Sequence, residues 1–505
     1  MRKKAEEGRL PSKKEIGKKE TIVRKKAAEE KLPSKKGAEK KAPIARKEKG
    51  MALTSKMAYA SADEMIFGTA KKPVTTKRGL VIGGGHVYPQ VVPHPRPGSE
   101  KTKKTLLREY ERANGDALER CVVVGHPALV IENEHVFQMT WNPEWGGEIA
   151  AQTAKQMDDY LAKYGLKAAH ESTVADIRKP DMVHMRESEH TQKIIESFKE
   201  VTKYADWVGI ETMGGKEVFD YAIIRHDIAG CLFGIAVLGS SDMEWMWKQI
   251  VAICNKNKCI PGGDTNCSEA NTAMFMAGGF LSKDVPHTFA ALCRAICAGR
   301  SLVAIEQGAT GPTKDCAYEN PIVKAISGVP ITTEGKTCAC AHAHLQGNLI
   351  GAVTDIWSNE AVEYHDMFGG TTTAVFAEIL GDDVAAMNSA IDLGYAKQYQ
   401  EILVNCDKYR DTHSFIVAPD NAWQIGKAIV DNSKSYYNRA KAAAIKAGEL
   451  IQGDPKMKLT AFEKEALEKS MKELRALPED DGKFIDMCLK KYKDVKGFIP
   501  AAYGF

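Results

Sequence analysis

The 505-residue sequence predicts an α/β fold, and within that class a (β/α)8 TIM barrel with helices added after it. Short apolar runs that end in glycines alternate with segments of helical spacing, which is the pattern of parallel strands joined by helices. Eight such runs fall within roughly 270 residues, near the length typical of this barrel. The last run is weak, and it leaves a doubly wound open sheet as the alternative.

The predicted strands share a short apolar run bounded by polar or turn residues. They are Ala128–Ile131, Leu166–Val174, Trp207–Glu211, Cys231–Leu238, Cys259–Asp264, Leu302–Glu306, Val329–Thr333 and a weak one near Val362–His365. Between them lie segments with apolar residues three and four apart, which predict helices. Examples are Gly147–Tyr164, Thr191–Tyr204 and Met243–Asn257.

Three of the strand-like runs lead into residues that can ligate a metal. These runs are Trp207–Gly215, Cys259–Cys267 and Leu302–Cys316, and each precedes a predicted helix. Because functional groups of parallel α/β folds lie where the strands end, Glu211, Cys267 and Cys316 are expected to meet on one rim.

Two thiolates and one carboxylate suit a catalytic zinc site. Such a site uses three protein ligands and keeps one position open. The carboxylate donates less charge than a third thiolate would, and it leaves the metal a better Lewis acid. The alternative is a strand-end glutamate facing a helix N-terminus and cysteines that serve as small buried hydrophobes.

A second set of ligand types alternates along the chain as Cys338-x-Cys340-x-His342-x-His344. An extended chain places all four on one face, but they then span about 20 Å, too far for a single ion. A packed barrel strand with polar groups near its rim is the preferred interpretation. His342 is a candidate for a group at the substrate site.

Charge is distributed unevenly along the sequence. Residues 1–50 carry 19 Lys and Arg against 8 Asp and Glu, and they contain a repeat in which Arg2–Ala5 recurs as Arg24–Ala27. Without aromatic residues this segment is expected to be disordered, either as a polyanion-binding arm or as a solvated tail ahead of Met51. The remaining residues carry a net charge of −7. A nucleic-acid-binding body is therefore not expected.

The rest of the chain divides into three further regions. Residues 51–107, rich in proline, are expected to wrap the body; residues 108–375 form the barrel; residues 376–505 form a helical layer. Predicted helices of this layer are Asp382–Ile391, Tyr395–Asn405, Ala422–Ala447 and Thr460–Arg475, with Gly448 as a C-terminal stop. We expect this layer to build an oligomer or partner surface.

Composition indicates a cytoplasmic protein. The longest apolar run, Ala229–Gly239, is too short to span a bilayer, and the N-terminus lacks the apolar segment of a secretory signal. The 12 cysteines are spread through the chain rather than grouped in a compact framework. We therefore expect reduced thiols, a few of which bind metal.

Three long sequence words carry a family resemblance: Glu211–Ala222, Gly263–Phe275 and Gly311–Asn320. They resemble the zinc-binding subunit of methanol:corrinoid methyltransferase, as do the shorter words Trp357–Glu360, Glu363–His365 and Phe368–Thr372. The resemblance runs from about Ser55 to Phe505. Residues 1–50 have no counterpart in the family pattern.

The resemblance implies a zinc-bearing (β/α)8 barrel that docks a separate corrinoid protein. The family's three ligands fall on Glu211, Cys267 and Cys316, with one zinc ion per chain. The implied reaction moves the methyl group of methanol to Co(I), giving methyl-Co(III) and water. Candidates for the proton source, by position alone, are Asp264, Glu306 and His342.

From the apolar spacing of the C-terminal helices and the shortness of the apolar runs, we expect a homodimer within a hetero-oligomer and no membrane partner. Two other functions stay open at this point. One is a related zinc enzyme acting on another methyl donor, such as a methoxy compound. The other is a non-enzymatic polyanion-binding protein that works through its Lys-rich arm.

Overall fold

The computed structural model describes residues 53–178, 186–265, 267–278, 284–335 and 346–505. A seven-stranded parallel sheet forms its centre. Its strands stand in the order β7-β6-β5-β4-β3-β9-β8 and curl around a common interior. A separate two-stranded antiparallel sheet, β1-β2, precedes it. The strands are β1 (Thr69–Thr75), β2 (Val81–Gly84), β3 (Tyr88–His94), β4 (Ala128–Glu134), β5 (Lys167–Val174), β6 (Trp207–Ile210), β7 (Ile260–Asp264), β8 (Thr332–Glu334) and β9 (Ile356–Val362).

An irregular segment completes the ring between the two edge strands. The N–H of Thr310 donates to the carbonyl of Pro261 at 2.8 Å, beside β7. The N–H of Thr313 donates to the carbonyl of Pro330 at 3.3 Å, just before β8. A Cβ on Gly263 would stand 2.9 Å from Cα of Thr313, so this close approach requires glycine. The sheet is therefore a TIM-like barrel whose eighth position is filled without regular strand pairing.

Helices cover the outside of the barrel and extend beyond it. Those up to β9 are α1 (Lys103–Val124), α2 (Phe137–Trp141), α3 (Pro143–Tyr164), α4 (Glu189–Val201), α5 (Lys216–Ile223), α6 (Ile228–Leu232), α7 (Ser240–Asn257), α8 (Cys267–Gly278), α9 (His287–Glu306) and α10 (Asn320–Ser327). Those after β9 are α11 (Thr372–Asp392), α12 (Ala396–Asp407), α13 (Thr412–Val417), α14 (Pro419–Asp431), α15 (Tyr436–Gly453), α16 (Ala461–Ala476) and α17 (Asp481–Lys491).

Short 3-10 and π turns accompany these helices. They are the 3-10 turns Ala62–Glu64, Ser99–Lys101, Leu349–Val353 and Pro500–Tyr503, and the π-helical stretch Phe233–Gly239. The ends of the long helices follow local chemistry. For example, the hydroxyl of Thr102 accepts from the N–H of Thr105 where α1 begins, and Gly125, with φ 82°, ends it.

Two predicted strands are wrong, because both segments are helical. Cys231–Leu238 lies in α6 and the π-helical stretch after it, and Leu302–Glu306 is the last part of α9. Both are buried on nearly all sides. A helix buried all round is apolar all round, so it shows no amphipathic period that separates it from a buried strand.

The prediction also missed β3, which was assigned to a wrapping segment because of Pro89 and Pro93. In the structure β3 lies inside the sheet and pairs with both β4 and β9. The two prolines are four residues apart, so their missing N–H groups fall on one side of the strand. Of its two partner strands, β4 begins at the predicted Ala128 but continues to Glu134. The other, β9, ends at Val362, where the weak strand was predicted to begin.

Two of the expected region boundaries lie within regular helices. Residues 51–505 form one compact unit, and the boundaries at 107/108 and 375/376 fall inside α1 and α11. The predicted helix Ala422–Ala447 is two helices, because Ser435 caps the N-terminus of α15. Gly448 does not end α15: a Cβ there would stand 2.1 Å from the sulfur of Met471, so this glycine serves close packing against α16.

One helix of the described chain, α9, has the length and composition that could span a membrane. In the structure 94% of its apolar window is buried within the protein. Two of its side chains, Arg294 and Arg300, form buried ion pairs with Glu319 and Glu269. These features are those of a core helix.

Candidate metal centre

The three predicted ligands converge at the carboxyl ends of the strands. Glu211 directly follows β6, and Cys267 begins α8 just beyond β7. Cys316 comes three residues after Thr313, in the segment that completes the ring. The ligand atoms of Glu211, Cys267 and Cys316 all lie within 4.8 Å of one another. The structure therefore brings together residues that the sequence keeps far apart.

Direct hydrogen bonds define the geometry of this cluster. The thiol of Cys316 donates to Oε1 of Glu211 at 2.7 Å. The sulfur of Cys267 accepts from Nδ2 of Asn271 at 2.9 Å. Cys316 is buried, whereas Glu211 and Cys267 are partly exposed. One side of the cluster thus faces the protein and the other faces the barrel mouth.

A buried cation stands beside the cluster. The ammonium of Lys314 lies 2.9 Å from Oε1 of Glu132, 2.5 Å from Oδ1 of Asp315 and 3.8 Å from Oε1 of Glu211. Burial lowers the pKa of Lys314, but Asp315 and Glu132 outweigh this effect and hold the pKa well above its usual value. The lysine therefore stays charged and offsets part of the surrounding negative charge.

The acidic groups of the cluster are hard to ionise together. Burial raises the pKa of Glu211 to about 7, opposed in part by Lys314. A hydrogen bond with Cys316 lowers the pKa of Cys267, but burial and Glu211 raise it more, to about 11. Burial and the neighbouring Cys267 also raise the pKa of Cys316. A divalent cation reverses this situation, because it binds the deprotonated forms.

The donor set fits zinc. Zinc binds thiolate sulfur at about 2.3 Å and carboxylate oxygen at about 2.0–2.2 Å, so the ligands of one ion lie at most about 4.6 Å apart. The cluster meets this spacing with only small adjustments, since its ligand atoms are within 4.8 Å of one another. Three protein ligands also leave one position open, as in catalytic zinc sites.

Asp264, predicted as a proton source, is held by four donors. Its carboxylate accepts from the N–H and the hydroxyl of Thr212 at 3.0 and 2.9 Å, from the indole of Trp247 at 2.7 Å, and from the N–H of Thr265 at 2.7 Å. Burial raises its pKa to about 7. These contacts fasten the residue after Glu211 to the loop that leads to Cys267, so Asp264 supports the geometry of the cluster.

The structure does not bring Glu306 to the cluster. Glu306 ends a helix rather than a strand, and its carboxylate accepts from Arg439 at 2.6 Å and from the N–H of Thr54 at 2.7 Å. His342, with the whole Cys338–His344 set, lies outside the described residues.

Sequence reasoning missed a second polar group on the same rim. His94, Glu134 and Glu360 lie at or near the ends of β3, β4 and β9, and their ligand-type atoms are within 4.8 Å of one another. The imidazole of His94 is 3.6 Å from Glu134. Glu134 also contributes to the raised pKa of Glu211, which marks the group as a neighbour of the cluster. If β3 and β9 had been predicted at their true positions, the three residues would have been found together at neighbouring strand ends.

Comparisons with known proteins identify relatives of this chain. The family described as methanol-cobalamin methyltransferase B subunit (MtaB) matches residues 51–504. A methanol–corrinoid protein co-methyltransferase of Methanosarcina barkeri is 46% identical over 455 residues, covering 89% of this chain and 99% of the relative.

A solved structure matches the fold as well. The crystal structure of the methanol:cobalamin methyltransferase complex MtaBC from Methanosarcina barkeri contains a chain that matches with a TM-score of 0.87 at 46% identity. The match covers 90% of this chain and all of that one. With a family match over nearly the whole body, this chain belongs to the methanol-cobalamin methyltransferase B subunit family.

Proposed function

We propose that this protein transfers the methyl group of methanol to the Co(I) corrinoid of a separate protein, and that Glu211, Cys267 and Cys316 hold a zinc ion for this reaction. The observation that carries the proposal is the convergence of two sulfurs and one carboxylate within 4.8 Å at the barrel rim. Membership in the B subunit family supports the same reaction.

The reaction needs help with a poor leaving group. An electron pair of Co(I) forms the new Co–C bond while the C–O bond of methanol breaks. The electron pair of the broken C–O bond stays on the oxygen. A proton then completes water. When bound, zinc would supply Lewis-acid stabilisation of the charge that develops on this oxygen.

Residues of the chain provide position and charge balance. Cys316 forms the buried side of the cluster, and Lys314 is buried next to it. Methanol must therefore approach from the side of the partly exposed Glu211 and Cys267. This side opens to the barrel mouth, where a corrinoid could reach the methyl carbon in line, at about 3–3.5 Å before reaction. Lys314 limits the repulsion among the buried acidic groups around it.

The leaving oxygen needs a proton source within hydrogen-bond reach. The carboxylate of Asp264 is occupied by four donors, and Glu306 is paired with Arg439. We therefore keep His342 as the candidate from the sequence. Glu134 is a further candidate, because it lies on the rim beside the cluster.

The proposed partner is a corrinoid protein, in keeping with the complex named for the related structure. We further propose a homodimer within a hetero-oligomer, located in the cytoplasm. Exposed apolar side chains at the start of α12 and on its surface suit such a contact: Leu393 and Tyr395, between α11 and α12, are 70% and 59% exposed, and Ile402, on α12, is 60% exposed. A monomer by light scattering at micromolar concentration, with and without the corrinoid protein, would exclude this assembly.

The test of the reaction uses the full chain. Metal analysis should find one zinc per chain, and addition of methanol labelled with carbon-13 to the chain with Co(I) corrinoid protein should give labelled methyl-Co(III). Removal of zinc by a chelator should abolish the product, and added zinc should restore it. If a methoxy compound reacts and methanol does not, the substrate assignment is wrong. If metal-free protein reacts at the full rate, the zinc assignment is wrong.

A further inference from the structure

A continuous set of buried polar contacts leads from the core of the protein to the sulfur of Cys267. Nδ2 of Asn271 donates to this sulfur at 2.9 Å, and Oδ1 of Asn271 accepts from Arg294 at 2.5 Å. Arg294 in turn donates to Glu319 at 2.7 Å, and Glu319 accepts from the hydroxyl of Ser301 at 2.7 Å. Arg294 and Glu319 are fully buried, and Asn271 is 3% exposed.

The chemistry of these groups fixes the direction of each hydrogen bond. A guanidinium carries only donors, so Arg294 must face the carbonyl oxygen of the Asn271 amide. The NH2 group of Asn271 then has to face the sulfur. Asn271 stands one helical turn after Cys267 on α8, which brings the two side chains onto the same face.

We propose that Asn271, held by Arg294, is a positioning residue that acts through Cys267. Its N–H···S bond withdraws charge from the thiolate, so that the sulfur donates less to the metal and the metal stays more electrophilic toward the oxygen of the substrate. This inference rests on the proposed zinc function. It gives Asn271, which is not one of the three proposed ligands, the role of adjusting how much charge the Cys267 thiolate donates to the metal. Hydrogen bonds to a ligand are a general means of tuning a bound metal.

The same contacts orient both halves of the site. Glu319 follows Cys316 by three residues, so the ion pair of Arg294 with Glu319 joins α9 to the loop that carries the second thiolate. The guanidinium also lies over the ring of Tyr318, 5.4 Å from its centroid. Because its buried positive charge is balanced by Glu319, Arg294 can hold the amide without itself neutralising the thiolate.

The variant Asn271→Asp keeps the packing of the site and removes the N–H donor, and Asn271→Ala removes the donor without adding charge. In Asn271→Asp the new side chain has nearly the same shape and can still accept from Arg294, but it cannot donate to sulfur. We expect the variant to fold and to retain one metal per chain. In the cobalt(II)-substituted full chain, the thiolate-to-cobalt charge-transfer band should move to lower energy, because an unbonded thiolate is easier to oxidise. In the zinc form, kcat should fall about tenfold or more, with little change in KM for the corrinoid protein.

Asn421→Asp is the matched control. Asn421 is also a buried helical asparagine, 4% exposed, and its Nδ2 donates to the carbonyl of Phe415 at 2.8 Å, away from the cluster. It should lower the melting temperature without moving the cobalt band. Asn271→Ala, which removes the N–H donor without adding a charge or a possible metal ligand, is measured in the same way and should move the cobalt band in the same direction.

An unshifted cobalt band in a folded Asn271 variant that binds metal would overturn the tuning role and leave the zinc function intact. A wild-type chain that binds neither zinc nor cobalt stoichiometrically would overturn the proposed function itself.

Discussion

The sulfur of Cys316 lies 2.7 Å from a carboxylate oxygen of Glu211, although 105 positions separate the two residues in the sequence. Glu211 is placed by the end of β6, and Cys316 by the irregular segment that fills the eighth position of the barrel. The contact thus depends on closure of the ring, and the candidate ligands come together only in the folded barrel. Any cation bound here couples its affinity to the stability of the whole fold.

The first prediction concerns the ligands themselves. Cys267→Ala and Cys316→Ala each remove a thiolate and should lose zinc and nearly all methyl transfer. Glu211→Gln should weaken zinc binding but retain more metal, because an amide oxygen can still coordinate without charge. Metal analysis and the methanol assay check each variant.

The fold should survive these changes, because the ligands lie on the rim and apolar side chains pack the core below them. Circular dichroism provides the control for folding. A Cys267→Ala or Cys316→Ala chain that keeps stoichiometric zinc and the wild-type rate would contradict the assignment. The Cys338–His344 set would then be the next place to search.

The second prediction concerns acid sensitivity. Burial lowers the pKa of both His135 and His170 to about 3. Below about pH 6.5 the unfolded chain binds a proton at each position that the folded chain does not, so each histidine removes stability as the pH falls. For one histidine the loss is about 1.4 kcal/mol per pH unit.

The variant His170→Asn isolates this effect. Other groups, among them Asp264 with its raised pKa, contribute slopes of the opposite sign, so the difference between wild type and variant is the useful quantity. Urea unfolding at pH 7 and pH 5 should show the advantage of the wild type shrinking toward acid. His365→Asn, on an exposed loop, serves as control. An unchanged difference would show that His170 titrates normally.

The third prediction concerns residues 1–50. Their charge density and lack of aromatic side chains leave little to bury, and residues 51–505 form a compact unit by themselves. Removal of this segment should leave zinc content and melting temperature nearly unchanged. A drop of many degrees would contradict the expectation. Strong salt-sensitive retention on heparin by the full chain, absent after removal, would favour the polyanion-binding function of the arm.

The fold class could be predicted from the sequence, and so could the proximity of Glu211, Cys267 and Cys316. Strand, glycine turn and helix follow one another clearly around Glu211 and Cys267, so the rim could be predicted. The strand before Cys316 could not, because Leu302–Glu306 belongs to a helix buried on nearly all sides. Cys316 reaches the rim because the loop after this helix returns there, and not because the predicted strand exists.

Contacts between non-ligand side chains were beyond the reach of pattern reasoning. The spacing of Asn271 and Arg294 does not indicate that the guanidinium of Arg294 orients the amide of Asn271. The two residues lie on separate helices, and the packing of these helices is a tertiary property. The group of His94, Glu134 and Glu360 was hidden for a different reason. Because Pro89 and Pro93 argue against a central strand, β3 was not predicted. Without β3, the residues at its end could not be placed beside the cluster.

The last prediction concerns a loop that follows β9 at the same rim. Tyr364 is 75% exposed, Met367 is 41% exposed, and Phe368 is fully exposed. The loop is nevertheless held in place: the N–H of Met367 donates to the carbonyl of Gly370 at 2.7 Å, and Arg112 bonds Asp366 at 2.9 Å. A fixed turn that presents aromatic and Met side chains to solvent is typical of a protein interface.

We therefore expect Phe368→Ser to weaken the productive encounter with the corrinoid protein. KM for that protein should rise about tenfold, the usual scale for truncation of an aromatic interface residue, while zinc content, kcat and KM for methanol stay unchanged. With free corrinoid in place of the corrinoid protein, wild type and variant should react alike, because the loop then has no protein surface to meet. Phe462→Ser, which alters another exposed phenylalanine on α16, should change none of these values. An equal loss of rate with free corrinoid would mean that Phe368 acts on the site and not on the partner, and an unchanged KM for the corrinoid protein would place the docking surface elsewhere on the rim.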